Sequence, residues 1–393
     1  MHEEYLYKSV TMAKNTRSGE LTNKSPGIPG LKIGLIGSCP PPYGGVTVHI
    51  QRLMKKLDEH NIDYVLYDIL GGQRDRKDTR IIRIHHPKLW ILKYFFSGSS
   101  EIIHNHTTDW RGQVLVGLMG LLGKKTISTL HSERLVKSWK DYNGIKRKII
   151  QLALQSTTSL IVVNARIREF CLSLGVDPDK VFLIPAFIPP DPEETEIDEI
   201  PKEIRDFIDT HDPVISANAF KIKFFKNEDV YGIDLCIELC SRLKQKRDTV
   251  GFVFFLPQIG DMRYFSHLQQ RLIDLHLQDN FLFVTEPYPF YPLLLKSRVF
   301  IRPTNTDGDA ISLREALYFG VPSVASDVVA RPEGTILFKN RNIDDLTAKV
   351  QDLLDNYPYY QQRMHTLPPG DYSDRIVQVY QKVAGMPGKT RAG

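Results

Sequence analysis

The stretch RPTNTDGDAISLREALYFG, residues 302–320, sets Asp307, Asp309 and Glu315 around Gly308 where a helix begins. Carboxylates accept without donating, so each can take two hydroxyl donors, and such charge-assisted bonds contribute about 1.5–3 kcal/mol each. A helix opening at Ala310 or Ile311, with Ser312 in its first turn, aims unpaired N–H groups at an anion. Two other readings use the same residues. Ser312 and Glu315 fit the S-x-x-E capping box, which makes Glu315 a partner of backbone donors. Asp307-Gly308-Asp309 is also an Asp-x-Asp, able to hold a divalent ion. Its place beside a helix, late in the chain, argues against the ion.

Three further places carry chemistry. Gly44 and Gly45, in GSCPPPYGGVTVHIQRL, fall at a strand-to-helix turn where the backbone takes φ > 0 or comes close to a partner. The spacing is not G-x-G-x-x-G, so a dinucleotide reading is weak and a plain tight turn competes with it. His131 closes a strand in STLHSERL, where a lone histidine is as often a satisfied polar group as a functional one. His104 and His106 could form a metal pair, but no third ligand follows by spacing, so they read as polar lining.

The elements that must position these residues are two sets of strands. At 393 residues and 42% hydrophobic composition the chain is globular and too long for one ordinary core. Short β-branched runs at 32–38, 63–69, 101–106, 125–131, 159–164 and 181–185 alternate with amphipathic helices. The pattern resumes at 214–219, 250–256, 280–285, 299–304 and 322–327. Between the sets, IPPDPEETEIDEIPKE is Pro-rich and acidic and reads as a linker over 191–204. The fold class is α/β: two doubly wound parallel-sheet domains, 31–190 and 205–370, facing a central cleft lined by strand C-terminal ends. Residues 1–30 are polar and read as a flexible leader. The longest apolar run, at 114–123, is about half what a bilayer crossing needs. Cysteines without C-x-x-C or metal spacing fit a reduced, cytoplasmic setting.

Taken in order, PPPYGGVTVHIQRLMKKL, STLH, YGIDLCIELCSRL and TDGDAISLREALYFGVPSVASD resemble the retaining glycosyltransferases of the GT-B fold, the class called family 4 or group 1. The resemblance implies two Rossmann-like domains, the first on the acceptor side and the second binding a nucleotide-sugar donor, with a last helix, 371–386, packing back on the first. It implies transfer of a sugar from a nucleoside diphosphate, a uridine one, to a glycan, lipid-linked or protein acceptor with retention. The family's two glutamates eight positions apart correspond to Asp307 and Glu315, the first shortened here. By that correspondence Asp307 meets sugar hydroxyls, Glu315 accepts from ribose hydroxyls and Gly308 leaves room for the sugar. Ala310, Ile311 and Ser312 open the helix facing the diphosphate, while Asp309 binds sugar hydroxyls or points to solvent. His131 contacts the transferring sugar, and Gly44 and Gly45 let the diphosphate or acceptor approach the backbone.

The family's Arg and Lys, five positions apart, correspond to Lys221 and Lys226, with Lys223 as a substitute, and are expected to neutralise the leaving diphosphate. Lys in place of Arg gives up the bidentate grip. Two more departures are Tyr231-Gly232 in place of Lys-Gly, after an inserted NEDVY, and Ala186-Phe187 in place of Asn-Gly. No nucleophile is evident, and retention in this family is ascribed to front-face attack, the departing phosphate helping to take the acceptor's proton. No metal or other cofactor is expected besides the donor. The alternatives are an epimerase or phosphorylase of the same fold, or a non-catalytic nucleotide-sugar-binding subunit.

Charge separates the halves. Residues 1–190 carry 27 Lys+Arg against 16 Asp+Glu, a net +11, and residues 191–393 carry 24 against 30, a net −6. A basic half suits an anionic partner or is merely solvated; the resemblance leaves no role for nucleic acid. Residues 80–96, with Arg80, Arg83, Lys88 and Lys93 beside Trp90, Tyr94, Phe95 and Phe96, and residues 137–150 mix basic and aromatic side chains. Such segments lie on anionic membranes or are ordinary helices with one buried face. A cytoplasmic enzyme, peripheral on the inner face of a membrane, is the expectation.

Overall fold

The computed structural model describes residues 30–40, 44–69, 78–84, 100–190, 200–286, 288–367 and 370–385. They fall into two compact units, 30–188 with 371–385, and 189–370.

The N-terminal unit alternates β1 (Lys32–Gly37), α1 (Gly45–Glu59), β2 (Asp63–Asp68), β3 (Ile81–Arg83), β4 (Ile102–Asn105), α2 (Trp110–Leu121), β5 (Lys125–Leu130), α3 (Arg134–Lys137), α4 (Gly144–Ser156), β6 (Ser159–Val162), α5 (Ala165–Ser173) and β7 (Val181–Leu183). The strands form one parallel sheet in the order β3-β2-β1-β4-β5-β6-β7. Helices cover both faces of such a sheet, so its central strands read as apolar runs and not as alternation. α1 buries Ile50, Leu53 and Leu57, one helical stripe, against Ile33, Leu35 and Leu66. α2 and α4 approach so closely that a Cβ on Gly117 would lie 2.4 Å from Ala153 Cα, and one on Gly120 2.2 Å from the Ser156 carbonyl oxygen.

The C-terminal unit runs α6 (Lys202–Thr210), β8 (Val214–Asn218), β9 (Phe224–Phe225), β10 (Glu228–Asp229), α7 (Ile233–Lys244), β11 (Gly251–Phe255), α8 (Met262–Asp274), β12 (Phe281–Val284), α9 (Tyr291–Leu295), β13 (Val299–Arg302), α10 (Ile311–Tyr318), β14 (Ser323–Ser326), β15 (Ile336–Phe338), α11 (Ile343–Asp355) and α12 (Tyr357–His365). Its parallel sheet has the order β12-β11-β8-β13-β14-β15, and β9 pairs with β10 as an antiparallel hairpin. Phe252, Phe254, Leu239, Leu243, Leu346 and Val350 are at the centre of its core. The chain then returns to the N-terminal unit as α13 (Ser373–Gly385), whose Ile376, Val377, Tyr380 and Val383 join the core beside α1.

Every strand run read from the sequence forms a strand. β3, β15 and the β9–β10 hairpin do not stand out there, because each has at most three residues and β3 and β15 are sheet edges with little buried surface. Within the basic segment 80–96, β3 occupies Ile81–Arg83, and residues 85–96 lie outside the described residues. The stretch read as a linker over 191–204 is described only from residue 200, and Lys202 already opens α6, whose Ile204, Phe207 and Ile208 share one apolar face. The leader, 1–30, lies outside the described residues apart from Gly30. All four cysteines are buried and free.

Candidate active site

From β8 the C-terminal sheet grows one way through β11 and β12 and the other way through β13, β14 and β15. The crevice at the ends of β8 and β13 is therefore a topological switch point, where open α/β sheets bind ligands. Asn218 ends β8, and Arg302 ends β13 and leads into the acidic loop and α10. Arg302 Nε and Nη2 donate to the two carboxylate oxygens of Asp307 at 3.1 and 3.3 Å. Its Nη1 donates to the carbonyl and the side-chain oxygen of Asn218 at 3.1 and 3.2 Å. Arg331, beyond β14, donates to Asp307 at 2.7 Å and to the Thr304 and Ser326 hydroxyls at 3.0 Å each. The Thr304 hydroxyl and the Gly308 N–H also donate to Asp307, at 3.1 and 3.0 Å.

A carboxylate offers about four lone-pair sites, so these donors saturate Asp307. Burial works to raise its pKa, but Arg302 and Arg331 outweigh that and hold the acid well below the usual carboxylate range. The sequence reading gives Asp307 to sugar hydroxyls; the structure turns it onto two guanidinium groups, since an acid in so dry a place needs cationic partners. Asp309 does not point to solvent either. Its side chain is 6% exposed and its Oδ1 lies 2.5 Å from Arg314 Nε. Both acids of the Asp-x-Asp pair are thus charge-compensated, and a divalent ion there would have to displace guanidinium groups.

α10 begins as the sequence suggests, with Ala310 at its N-cap and no side-chain cap. Ser312 lies inside the first turn, and its hydroxyl donates to Asn218 Oδ1 at 2.9 Å, so it is not the cap of a capping box. Glu315 is buried on the following turn. Lys221 and Lys226 stand on different features. Lys221 is half-buried on the way out of β8, next to Ile222, whose N–H donates to the Ile259 carbonyl at 3.1 Å. Lys226 is exposed at the two-residue tip of the β9–β10 hairpin, where Lys226 and Asn227 take φ of 52° and 62°. Of the inserted NEDVY, Glu228 and Asp229 form the returning arm of that hairpin. Asp229, at its end, accepts the N–H groups of Tyr231 and Ile233 at 2.9 and 2.7 Å and so starts α7. Gly232 takes φ of 63°, and a Cβ there would lie 2.5 Å from the Pro303 carbonyl oxygen. The Asn305 N–H donates to the Val230 carbonyl at 3.0 Å, which ties hairpin and acidic loop together.

In the N-terminal unit the switch point lies between β1 and β4. Gly44 is extended, with φ of −148°, so the turn does not need φ > 0. Its N–H donates to Thr47 Oγ1 at 2.9 Å, and a Cβ there would meet nothing closer than that oxygen, 3.9 Å away. Among the described residues nothing crowds Gly44, and Gly45 opens α1. Pro41, Pro42 and Tyr43 lie outside the described residues. Parallel pairing of β4 with β5 places His106 and His131, which follow these strands, together, with His106 Nδ1 3.0 Å from His131 Nε2. His49 joins them from α1, its ring centroid 5.3 Å from that of His106 and 4.8 Å from that of His131. His104 bonds Tyr380 Oη and Thr129 Oγ1 at 2.6 and 2.7 Å and is a satisfied core residue. Burial lowers the pKa of all four, His49 to about 4.

Sequence reasoning missed Arg302, Arg331, Asn218 and His49. Arg302, inside the quoted stretch, was within its reach; Arg331 and His49 are brought in only by the sheet order.

The Glycosyltransferase Family 4 model matches residues 43–192, and the Glycosyl transferases group 1 model matches residues 223–356. The chain belongs to this glycosyltransferase family. Solved structures share the transferase's GT-B fold at low identity. HepE of Anabaena, in complex with UDP, is 11% identical with a TM-score of 0.60, over 91% of this chain and 100% of that one. A glycosyltransferase from Rickettsia africae is 14% identical with a TM-score of 0.65, over 91% and 100%. WaaG, a glycosyltransferase involved in lipopolysaccharide biosynthesis, is 13% identical with a TM-score of 0.63, over 89% and 99%. No curated protein matches the transferase in sequence.

Asp307→Asn keeps the shape of the clamp and removes its acid. Urea unfolding should show a loss of about 3–5 kcal/mol, because two nearly buried guanidinium groups lose their counter-charge. The folded pKa lies below the unfolded one, so Asp307 contributes fully above about pH 4 and loses its contribution as the pH falls toward the folded value. The variant should therefore show a smaller loss of stability in acid than the wild type. Equal stability of the two proteins at neutral pH would mean that the clamp is not a structural support.

Proposed function

We propose that the transferase takes a sugar from a uridine diphosphate sugar and passes it, with retention of configuration, to a glycan, lipid-linked or protein acceptor. The observation that carries this reading is the switch point of the C-terminal unit, where α10 starts without a side-chain cap above a clamp of two arginines and one aspartate. That clamp has one positive charge in excess, next to a helix N-terminus that favours anions, which suits a diphosphate. Glu315 takes the ribose hydroxyls, Ser312 and the N–H groups at Ala310 and Ile311 face the phosphates, and Gly308 leaves space for the sugar. Lys221 and Lys226 neutralise charge on the leaving diphosphate. His131 contacts the sugar, and Gly44 and Gly45 serve the approach of the diphosphate or acceptor. Asp307 is a positioning residue that acts through Arg302, Arg331 and Gly308, and Asp309 fixes Arg314. HepE, in complex with UDP and with UDP-glucose, supports a uridine donor.

Saturation of Asp307 and pairing of Asp309 leave neither acid suited to attack a sugar. This supports front-face transfer, in which the bond from sugar to phosphate oxygen breaks as the acceptor oxygen bonds on the same face. The released phosphate oxygen then takes the acceptor's proton. Labelled UDP-sugar distinguishes the readings: label in an acceptor marks transfer, an epimerised donor or a sugar 1-phosphate marks the other enzymes, and binding without turnover marks a non-catalytic subunit.

The acceptor is proposed to lie at an anionic membrane surface on the cytoplasmic side. No helix among the described residues is long and apolar enough to cross a membrane. Arg80 is paired with Asp58 and Asp78, and Lys88, Trp90, Lys93, Tyr94, Phe95 and Phe96 lie outside the described residues, so support comes from the second basic segment. α4 exposes Ile145, Ile149 and Leu152 on one face, at 76%, 44% and 45%, and its partner α2 exposes Leu118 and Leu121, with Leu122 just beyond. Lys137, Lys140 and Lys148 are exposed on the same segment. Exposed apolar stripes rimmed by lysine suit insertion among anionic headgroups.

Three measurements follow from these roles. Glu315→Ala should weaken UDP binding by about 1–3 kcal/mol in calorimetry; unchanged affinity with only a lower melting temperature would make Glu315 a structural residue. Transfer should survive EDTA, since lysines, arginine clamp and helix terminus stand in for a cation; complete loss that manganese restores would return the metal to Asp307 and Asp309. At low salt the protein should pellet with anionic but not neutral vesicles, each basic residue contributing about 1 kcal/mol. Raised salt, or Ile145→Asp with Ile149→Asp, should release it, and a protein that stays in the supernatant with both lipids has a soluble acceptor.

A further inference from the structure

His49, His106 and His131 converge although they come from a helix and from the ends of two different strands. One ligand nitrogen from each lies within 4.8 Å of the others. His49 Nδ1 sits 2.6 Å from the Ala186 carbonyl oxygen, which can only accept, so Nδ1 carries the proton and Nε2 is a bare lone pair. That Nε2 is buried and without a hydrogen-bond partner, and so is His106 Nε2. His49 and His106 are 2% and 0% exposed, so these orphaned nitrogens cannot turn to bulk water. Leaving such groups unsatisfied costs about 1–3 kcal/mol each, and a ligand that takes the lone pairs removes the cost.

We propose that His49, His106 and His131 form a binding site for a zinc-class divalent cation, held by one ring nitrogen from each residue. The ligands are imidazoles without a carboxylate, which selects zinc or its transition-metal neighbours over magnesium and calcium. The backbone carbonyl on His49 Nδ1 is the usual outer support of a metal-bound histidine, fixing both tautomer and ring orientation. Tetrahedral zinc sets its nitrogens about 3.3 Å apart, so a cluster spread over at most 4.8 Å closes by about 1.5 Å or less through side-chain rotation. His131 is the partly exposed member. His104, with both nitrogens engaged, packs behind His106 and is not a ligand.

The cation is not a cofactor of transfer. A metal on His131 would occupy the side chain proposed to contact the sugar, so zinc inhibits; this consequence rests on the role proposed for His131.

The full-length protein, stripped with a chelator and dialysed against zinc, should retain one zinc per chain, and its cobalt(II) form should show the strong visible absorption of tetrahedral coordination. His49→Gln and His131→Gln should each weaken zinc binding by more than the about 10–100-fold typical of losing an outer-shell partner. Thermal melting of the stripped proteins separates loss of a ligand from loss of fold, and the partly exposed His131 keeps the test decisive if His49→Gln does not fold. No saturable zinc on the wild type, or undiminished retention by folded His131→Gln, overturns the site. Zinc that binds as described without slowing transfer leaves the metal site standing and removes His131 from the sugar.

Discussion

The charge pair of Asp307 with Arg302 and Arg331 fixes what the C-terminal unit presents at its switch point. Their side chains are 10%, 11% and 2% exposed, so the three charges give up most of their hydration. Such a cluster persists only where pairing and hydrogen bonds together replace water. Asn218, Thr304 and Ser326 supply those bonds, and each stands at or just past the end of a central strand. The clamp therefore welds the ends of β8, β13 and β14 to the loop that leads into α10. The helix start inherits its position from that weld.

The shortened acid at position 307 acquires a physical meaning in this setting. An aspartate one residue before Gly308 and three after Thr304 can accept from both neighbours, as short polar side chains do in turns. A longer glutamate would carry its carboxylate past them. The short side chain thus keeps the acid on the supporting side of the loop, against Thr304, Gly308 and the two arginines. The two arginines leave one positive charge in excess over Asp307.

The N-terminal unit solves a different problem, that of holding polar groups in a dry place without charge. His104 is satisfied between Tyr380 and Thr129, which also bonds the returning helix α13 to β4 and β5. His49 and His106 each keep an orphaned nitrogen. These two orphaned nitrogens at the end of a sheet store a polar cost that tight burial alone would not favour.

Strands were legible in the sequence because a parallel sheet covered on both faces demands uninterrupted apolar runs, and KIGLIGS, SLIVVN or VISANA can bury themselves in no other way. The helix start at Ala310 was legible for a similarly local reason, the apolar pattern of α10. The family resemblance placed Asp307 and Glu315 by spacing, which is conserved along a chain whatever the side chains touch. Contacts across the sheet were not legible. Arg331 reaches Asp307 from 24 residues away because β14 lies beside β13, and His49 reaches His106 and His131 because α1 follows β1, which lies beside β4 in the sheet. Sequence alone determined which residues could be chemical and which segments were strands; strand order, a property of the packed sheet, decided which of those residues meet and whether an acid meets solvent or an arginine.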